Sequence, residues 1–172
     1  MRLITRSAFV AAVSIPLALT ATPQASASQA SDVTYAFSVS GSTVKNTITN
    51  NSGSVISCTT SLAPAPGGVL PPIEVVFGGG QTLYDHSDIQ PGSTTQSVTA
   101  VPDGSYVALA SCARDQSDPA MWVSDYPGLD TVLKLFPNPS FAVQQASPVV
   151  TVPGASAPAI PGLPDFGSLS GR

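Results

Sequence analysis

The sequence predicts an all-β fold, an antiparallel sandwich of about seven short strands in one domain. Three observations carry that expectation. Apolar and polar residues alternate with period 2 over Val33–Ser40, where Val33, Tyr35, Phe37 and Val39 share one face. Turn residues recur about every eight to twelve positions, the spacing of short strands in a sandwich. The only long apolar run without a β-period, residues 7–21, lies at the extreme N-terminus.

Each element follows from local composition. Gly41-Ser42 turns the first strand into a second over Thr43–Thr49, where Val44, Asn46 and Ile48 alternate. Asn50-Asn51-Ser52-Gly53 is a dense turn signal. A third strand over Val55–Leu62 places Ile56, Cys58 and Leu62 on one face. Residues 63–72 carry Pro64, Pro66, Pro71 and Pro72, which excludes a central strand there. Ile73–Phe77 reads as a short apolar strand ended by Gly78-Gly79-Gly80, and Leu83-Tyr84 as a brief pairing segment. The stretch from Gly80 to Pro91 otherwise reads as a polar loop. Ser93–Val101 and Ser105–Ala113 are further strands, separated by Pro102-Asp103-Gly104. In the second of these, Tyr106, Ala108, Ala110 and Cys112 line one face and Val107 and Leu109 the other, as in a central strand buried on both sides. Met121-Trp122-Val123 and Thr131–Phe136 complete the strand set. From Pro137 onward seven prolines fall among Ala, Ser, Gly and Val, which reads as a flexible, partly polyproline tail. Within it only Val149–Val152 could add to a sheet edge. The tail would act as a spacer or as a proline ligand for an aromatic groove.

The N-terminus predicts export. A basic start with Arg2 and Arg6, an apolar middle and the exit Ala25-Ser26-Ala27 make a secretory signal peptide over residues 1–27. Its apolar run is too short for a transmembrane segment. Of 172 residues, removal of 27 leaves 145, enough for one domain over residues 28–136 and a tail over 137–172. Destinations are the cell wall or the extracellular medium. The mature chain keeps Lys45, Arg114, Lys134 and Arg172 against ten acids, a net charge of about −6. That balance argues against nucleic acid and against electrostatic docking on anionic lipid. Two cysteines in an exported chain, Cys58 and Cys112, read as one disulfide closing a long ring.

Catalytic motifs are sparse. Tyr84-Asp85-His86-Ser87-Asp88 is the one place where a histidine, acids and a hydroxyl crowd together, but neighbours on one strand point apart and cannot form a triad alone. No G-x-S-x-G elbow exists, and Gly78-Gly79-Gly80 lacks the lysine of a phosphate loop. A single glutamate, Glu74, leaves little for paired-carboxylate hydrolysis. The chain therefore reads as a non-enzyme. Aspartates 85, 88, 115, 118, 125 and 130 sit in predicted loops and could hold Ca²⁺ if those loops converge; no other cofactor is implied. Trp122 and Tyr126 would anchor a partner if exposed, or close one end of the sandwich if buried. The candidate contact surface is Tyr84, Asp85, His86, Asp88, Asp115, Asp118, Trp122 and Tyr126.

With the strands placed, Val44–Asn51 followed by Ser52-Gly53 resembles the opening hairpin of bacterial immunoglobulin-like modules. Asp103-Gly104-Ser105-Tyr106, then Cys112, resembles their late strand. The two stretches differ from antibody-type domains in spacing: the tyrosine lies six residues before the cysteine rather than two, and Trp122 follows both cysteines. The signal peptide and Pro/Ala-rich tail are similar to those of exported proteins of high-GC Gram-positive bacteria. The resemblance implies an immunoglobulin-like sandwich acting in adhesion, spacing or binding. Expected partners are a protein or a cell-wall component. Two alternatives stand beside this: an inhibitor of an extracellular hydrolase, using Pro64-Ala65-Pro66-Gly67 as its reactive segment, and a carrier of a small apolar ligand inside the sandwich.

Overall fold

A computed structural model describes residues 27–115 and 118–153. All but the last residue of the expected signal peptide, 1–27, and the expected tail from residue 154 lie outside the described residues. Among the described residues nine strands form two sheets. The smaller has the order β1-β2-β5, with β1 Val33–Ser40, β2 Thr43–Asn50 and β5 Gly92–Val98. The larger runs β4-β3-β6-β7-β8, with β3 Ile56–Pro64, β4 Leu83–Ile89, β6 Gly104–Ala113, β7 Met121–Asp125 and β8 Ser140–Ala146. A ninth strand, β9 Val149–Val152, pairs with the N-terminal half of β6, and β7 pairs with its C-terminal end. All pairs are antiparallel except β7–β8, so the larger sheet is mixed.

The period-2 patterns decide which side of each strand is buried. Val33, Tyr35 and Ile48 of the smaller sheet pack on Ile56, Cys58, Ile89, Ala110, Cys112 and Trp122 of the larger. Beside them Val44 and Val98 meet Leu62, Ala108 and Val152. These two clusters fill the space between the sheets. A third lies on the other side of the larger sheet, where Ala63, Val107, Leu109 and Val123 are covered by Val76, Tyr126 and Leu129. Central β6 is thus buried on both faces, as its sequence predicted.

The disulfide forms as expected. Cys58 and Cys112 are direct partners of β3 and β6, with Cα atoms 4.1 Å apart. It therefore crosslinks neighbours within one sheet, unlike the inter-sheet disulfide of antibody domains. The Tyr106 hydroxyl donates to the Pro102 carbonyl, 3.0 Å away and four residues upstream, fixing the turn that feeds β6.

Four sequence expectations are corrected. Ile73–Phe77 is helical: α1, Ile73–Val75, runs into a wide turn over Val76–Gly80. Its apolar residues serve a helical face, with Val76 buried and Val75 and Phe77 exposed. Thr131–Phe136 is likewise no strand. Gly128, at φ +85°, reverses the chain into α2, Leu129–Leu133, whose Leu129 and Leu133 sit four apart and pack on the sheet together. Tyr84–Asp88 belongs to the full-length strand β4 and not to a polar loop. The sheet also continues past Pro137: β8 takes Ser140–Ala146, read as tail, and β9 takes Val149–Val152, the one stretch expected to add to a sheet edge. Residues 137–153 are therefore part of the folded body and not tail. The proposed reactive segment is partly sequestered as well, since Pro64 ends β3, Ala65 is fully buried and its amide donates to Ser105.

Candidate functional site

The outer face of the larger sheet is only partly covered. Residues 65–81 and 126–136 shield its β6–β7 half, where the Tyr126 hydroxyl donates to the Pro71 carbonyl and ties the two segments together. The β3–β4 half stays open. There the alternation that buries Ile56, Cys58, Thr60 and Leu62 turns Ser57 and Thr59, both half-buried, to the outer face, while Ser61 on the same side is itself buried beneath Gln81. The antiparallel register sets Asp88, His86 and Tyr84 of β4 opposite Ser57, Thr59 and Ser61 in turn.

Cross-strand contacts follow from that register. His86 Nδ1 lies 2.9 Å from Thr59 Oγ1, and its Nε2 3.3 Å from Ser57 Oγ. The ring edge is held between two hydroxyls of the neighbouring strand. Ser61 Oγ donates to Gln81 Oε1 at 2.6 Å. Gln81 stands where the Val76–Gly80 turn returns to the sheet, and its amide reaches the Val76 carbonyl at 3.4 Å. Tyr84 is 67% exposed, its ring offered to solvent above this floor.

These side chains line a groove of about 360 Å³ formed by Thr59, Ser61, Gln81, Tyr84 and His86. A second hollow of about 300 Å³ adjoins it, sharing Ser61 and Gln81 and extending to Val76, Phe77, Gly79 and Ser111. The wall between groove and covered sheet is the glycine turn. Gly79 adopts φ +110°, a region that side chains rarely enter, and a Cβ on Gly80 would meet the Val75 carbonyl oxygen at 2.6 Å. Gly78-Gly79-Gly80 is thus a shaped wall rather than a hairpin tip.

The remaining predicted contact residues do not join this face. Asp85 points the other way and accepts the Ser97 amide at 2.8 Å, stapling β4 to β5 across the sheets. Trp122 is fully buried, with its indole N–H donating to the Gln29 carbonyl at 2.8 Å. Tyr126 is buried, and burial raises its phenol above the ordinary value. Asp118 pairs with Arg114 in the exposed β6–β7 loop, which also carries Asp115. Among the described residues no group of three or more His, Cys, Asp or Glu side chains converges as a metal site, so the Ca²⁺ expectation finds no cluster.

The Ser57–His86 approach has the residue types of a nucleophile and base. It lacks their usual surroundings. Thr59, not a carboxylate, faces the second ring nitrogen. The β3 backbone pairs with β4 on one edge and β6 on the other, so its amides lie in the sheet plane and not above Ser57 as oxyanion donors. Of the contact residues expected from sequence, Tyr84, His86 and Asp88 lie on this face; Ser57, Thr59, Ser61, Gln81 and Phe77, which share it or its adjoining hollow, were not among them. The alternation of β3 was a usable signal for its three hydroxyls; the β3–β4 register was not readable from the chain. Comparison with family models, with curated proteins and with solved structures finds no match.

Proposed function

We propose that the chain is an exported, non-catalytic binding module of the cell envelope or extracellular space, and that the open β3–β4 face is its contact surface. The observation that carries this reading is Tyr84, a large aromatic left exposed over a groove whose floor is a rigid, disulfide-linked sheet. Exposed aromatic rings on rigid floors are the commonest energetic anchors of binding sites. The disulfide, the signal-like N-terminus and the scarcity of charge all suit an oxidising extracellular setting. Among the described residues the groove is lined by no lysine, arginine or carboxylate, and Thr59 rather than a carboxylate faces His86 Nδ1, which favours binding over chemistry.

The test is retention on a column. The protein from Ser28 to Arg172, with its disulfide verified, is immobilised and exposed to the producing cell's envelope extract and culture medium. Saturable retention of one component, lost with Tyr84→Ala and kept with Thr95→Ala on the opposite sheet, is the expected result. Retention that ignores Tyr84→Ala overturns the assignment of this face.

A further inference from the structure

Resting on that reading of the β3–β4 face, we infer that the groove takes an uncharged carbohydrate chain. The argument starts from what lines it. Thr59, Ser61, Gln81, Tyr84 and His86 are all hydrogen-bonding side chains, and none is a lysine, arginine or carboxylate. Among the described residues an anionic ligand would meet no lysine or arginine here. Lys45 lies on the outer face of the other sheet, Arg114 is paired with Asp118, and Lys134 follows α2. The acid nearest in register, Asp88, would repel it. An apolar ligand would strip water from the hydroxyls and amide without replacing those hydrogen bonds.

A pyranose or furanose chain satisfies both halves of the site. Its C–H faces are apolar and stack on an aromatic ring; its hydroxyls both donate and accept. Tyr84 supplies the ring. Gln81 supplies an amide with both donor and acceptor atoms, and the Ser and Thr hydroxyls keep spare acceptor capacity beyond their mutual bonds. The groups are already oriented: Gln81 by Ser61, His86 by Thr59 and Ser57. Little rotamer freedom remains to be lost on binding. The second hollow continues the groove past Gln81 to Phe77, itself 41% exposed. Two exposed rings, one lining each of two hollows that share Ser61 and Gln81, fit an extended chain of several sugars better than a single one.

Isothermal titration of the Ser28–Arg172 protein decides the matter, using neutral hexasaccharides of glucose, mannose, galactose and arabinose, an anionic glycan (hyaluronan), a cationic one (chitosan hexamer) and an apolar dye. The expected result is saturable binding of at least one neutral hexasaccharide, unchanged between low and high salt. Affinity should drop about tenfold or more with Tyr84→Ala, the loss expected for a hot-spot aromatic. It should fall with Gln81→Ala and with Phe77→Ala, and a disaccharide should bind more weakly than a hexasaccharide and be indifferent to Phe77→Ala. Circular dichroism confirms that each variant is folded. Binding of no neutral glycan, binding confined to the charged polymers and abolished by salt, or uptake of the dye alone overturns the inference. If no neutral glycan binds while Tyr84→Ala still abolishes retention of the envelope component, the carbohydrate assignment falls and the contact surface stands. If Tyr84→Ala changes neither, both fall.

Discussion

Thr60 shows how one side chain decides whether a polar core is tolerable. Its hydroxyl accepts from Asn46 Nδ2 at 2.9 Å and donates to Gln96 Oε1 at 2.6 Å, while Gln96 Nε2 donates to the Cys58 carbonyl and to Ser87 Oγ, both at 2.9 Å. Four polar side chains from four strands meet between the sheets beside the disulfide. Thr60→Val keeps the shape and removes the hub, leaving the Asn46 amide and the Gln96 carbonyl buried with one bond fewer. Urea unfolding should show a loss of about 1–3 kcal/mol. Tyr35 is a second buried polar residue; its hydroxyl donates to the Trp122 carbonyl at 2.9 Å. Burial pushes its phenol far above the ordinary value, outweighing the backbone hydrogen bond at Cys112 that lowers it. The folded state thus holds this proton more tightly than the unfolded one. Its stabilising contribution is complete below the unfolded phenol pKa of about 10 and is lost as pH rises beyond it. Denaturation midpoints should fall as pH rises above about 10, by up to about 1.4 kcal/mol per pH unit for this group. Tyr35→Phe should flatten that slope, leaving the share of Tyr126, whose shift has the same sign.

At the scale of elements, local pattern succeeded where a strand had one apolar face and failed where it did not. The β1–β2 hairpin was legible because inward positions are apolar except for Asn46 and Asn50, and outward ones are Ser, Thr, Ala and Lys. Only part of β4 was legible, because its inward face carries Asp85 and Ser87, whose partners Ser97 and Gln96 come from β5. Tertiary pairing replaced the hydropathy signal there. Short apolar runs misled in the opposite sense, since Ile73–Phe77 and the segment after Gly128 are too brief for periodicity alone to separate a helical turn from a strand. The glycine turn supports a direct test. Gly80→Ala sets a Cβ 2.6 Å from the Val75 carbonyl oxygen, so the turn must shift. Overpacking of this kind costs about 1–3 kcal/mol. Thermal unfolding should register that loss, and titration of the groove should show weakened binding, because the wall carrying Phe77 moves with the turn.

For the whole molecule, two long-range ties close the fold. The disulfide joins residues 54 apart in sequence. Its removal by Cys58→Ala with Cys112→Ala should cost roughly 4 kcal/mol on chain-entropy grounds, read as a lower urea midpoint. The other tie is the C-terminal pair of strands. β8 lies parallel to β7 and buries Val143 in the inter-sheet core, and β9 covers the edge of β6 and buries Val152. Truncation after Phe136 should therefore abolish the cooperative unfolding transition in circular dichroism rather than trim a tail. What the sequence by itself determined is the all-β class, the cysteine pair, most strands and the two-faced burial of β6, because these depend on period-2 hydropathy and on turn residues acting locally. Tertiary structure alone decided the rest: the mixed sheet order, the capture of Ser140–Ala146 as a strand, and the union of Tyr84, His86, Gln81 and the β3 hydroxyls in one groove. The physical reason is register. Which residue of one strand faces which residue of the next is set by pairing between distant segments, and no local pattern in the chain encodes it.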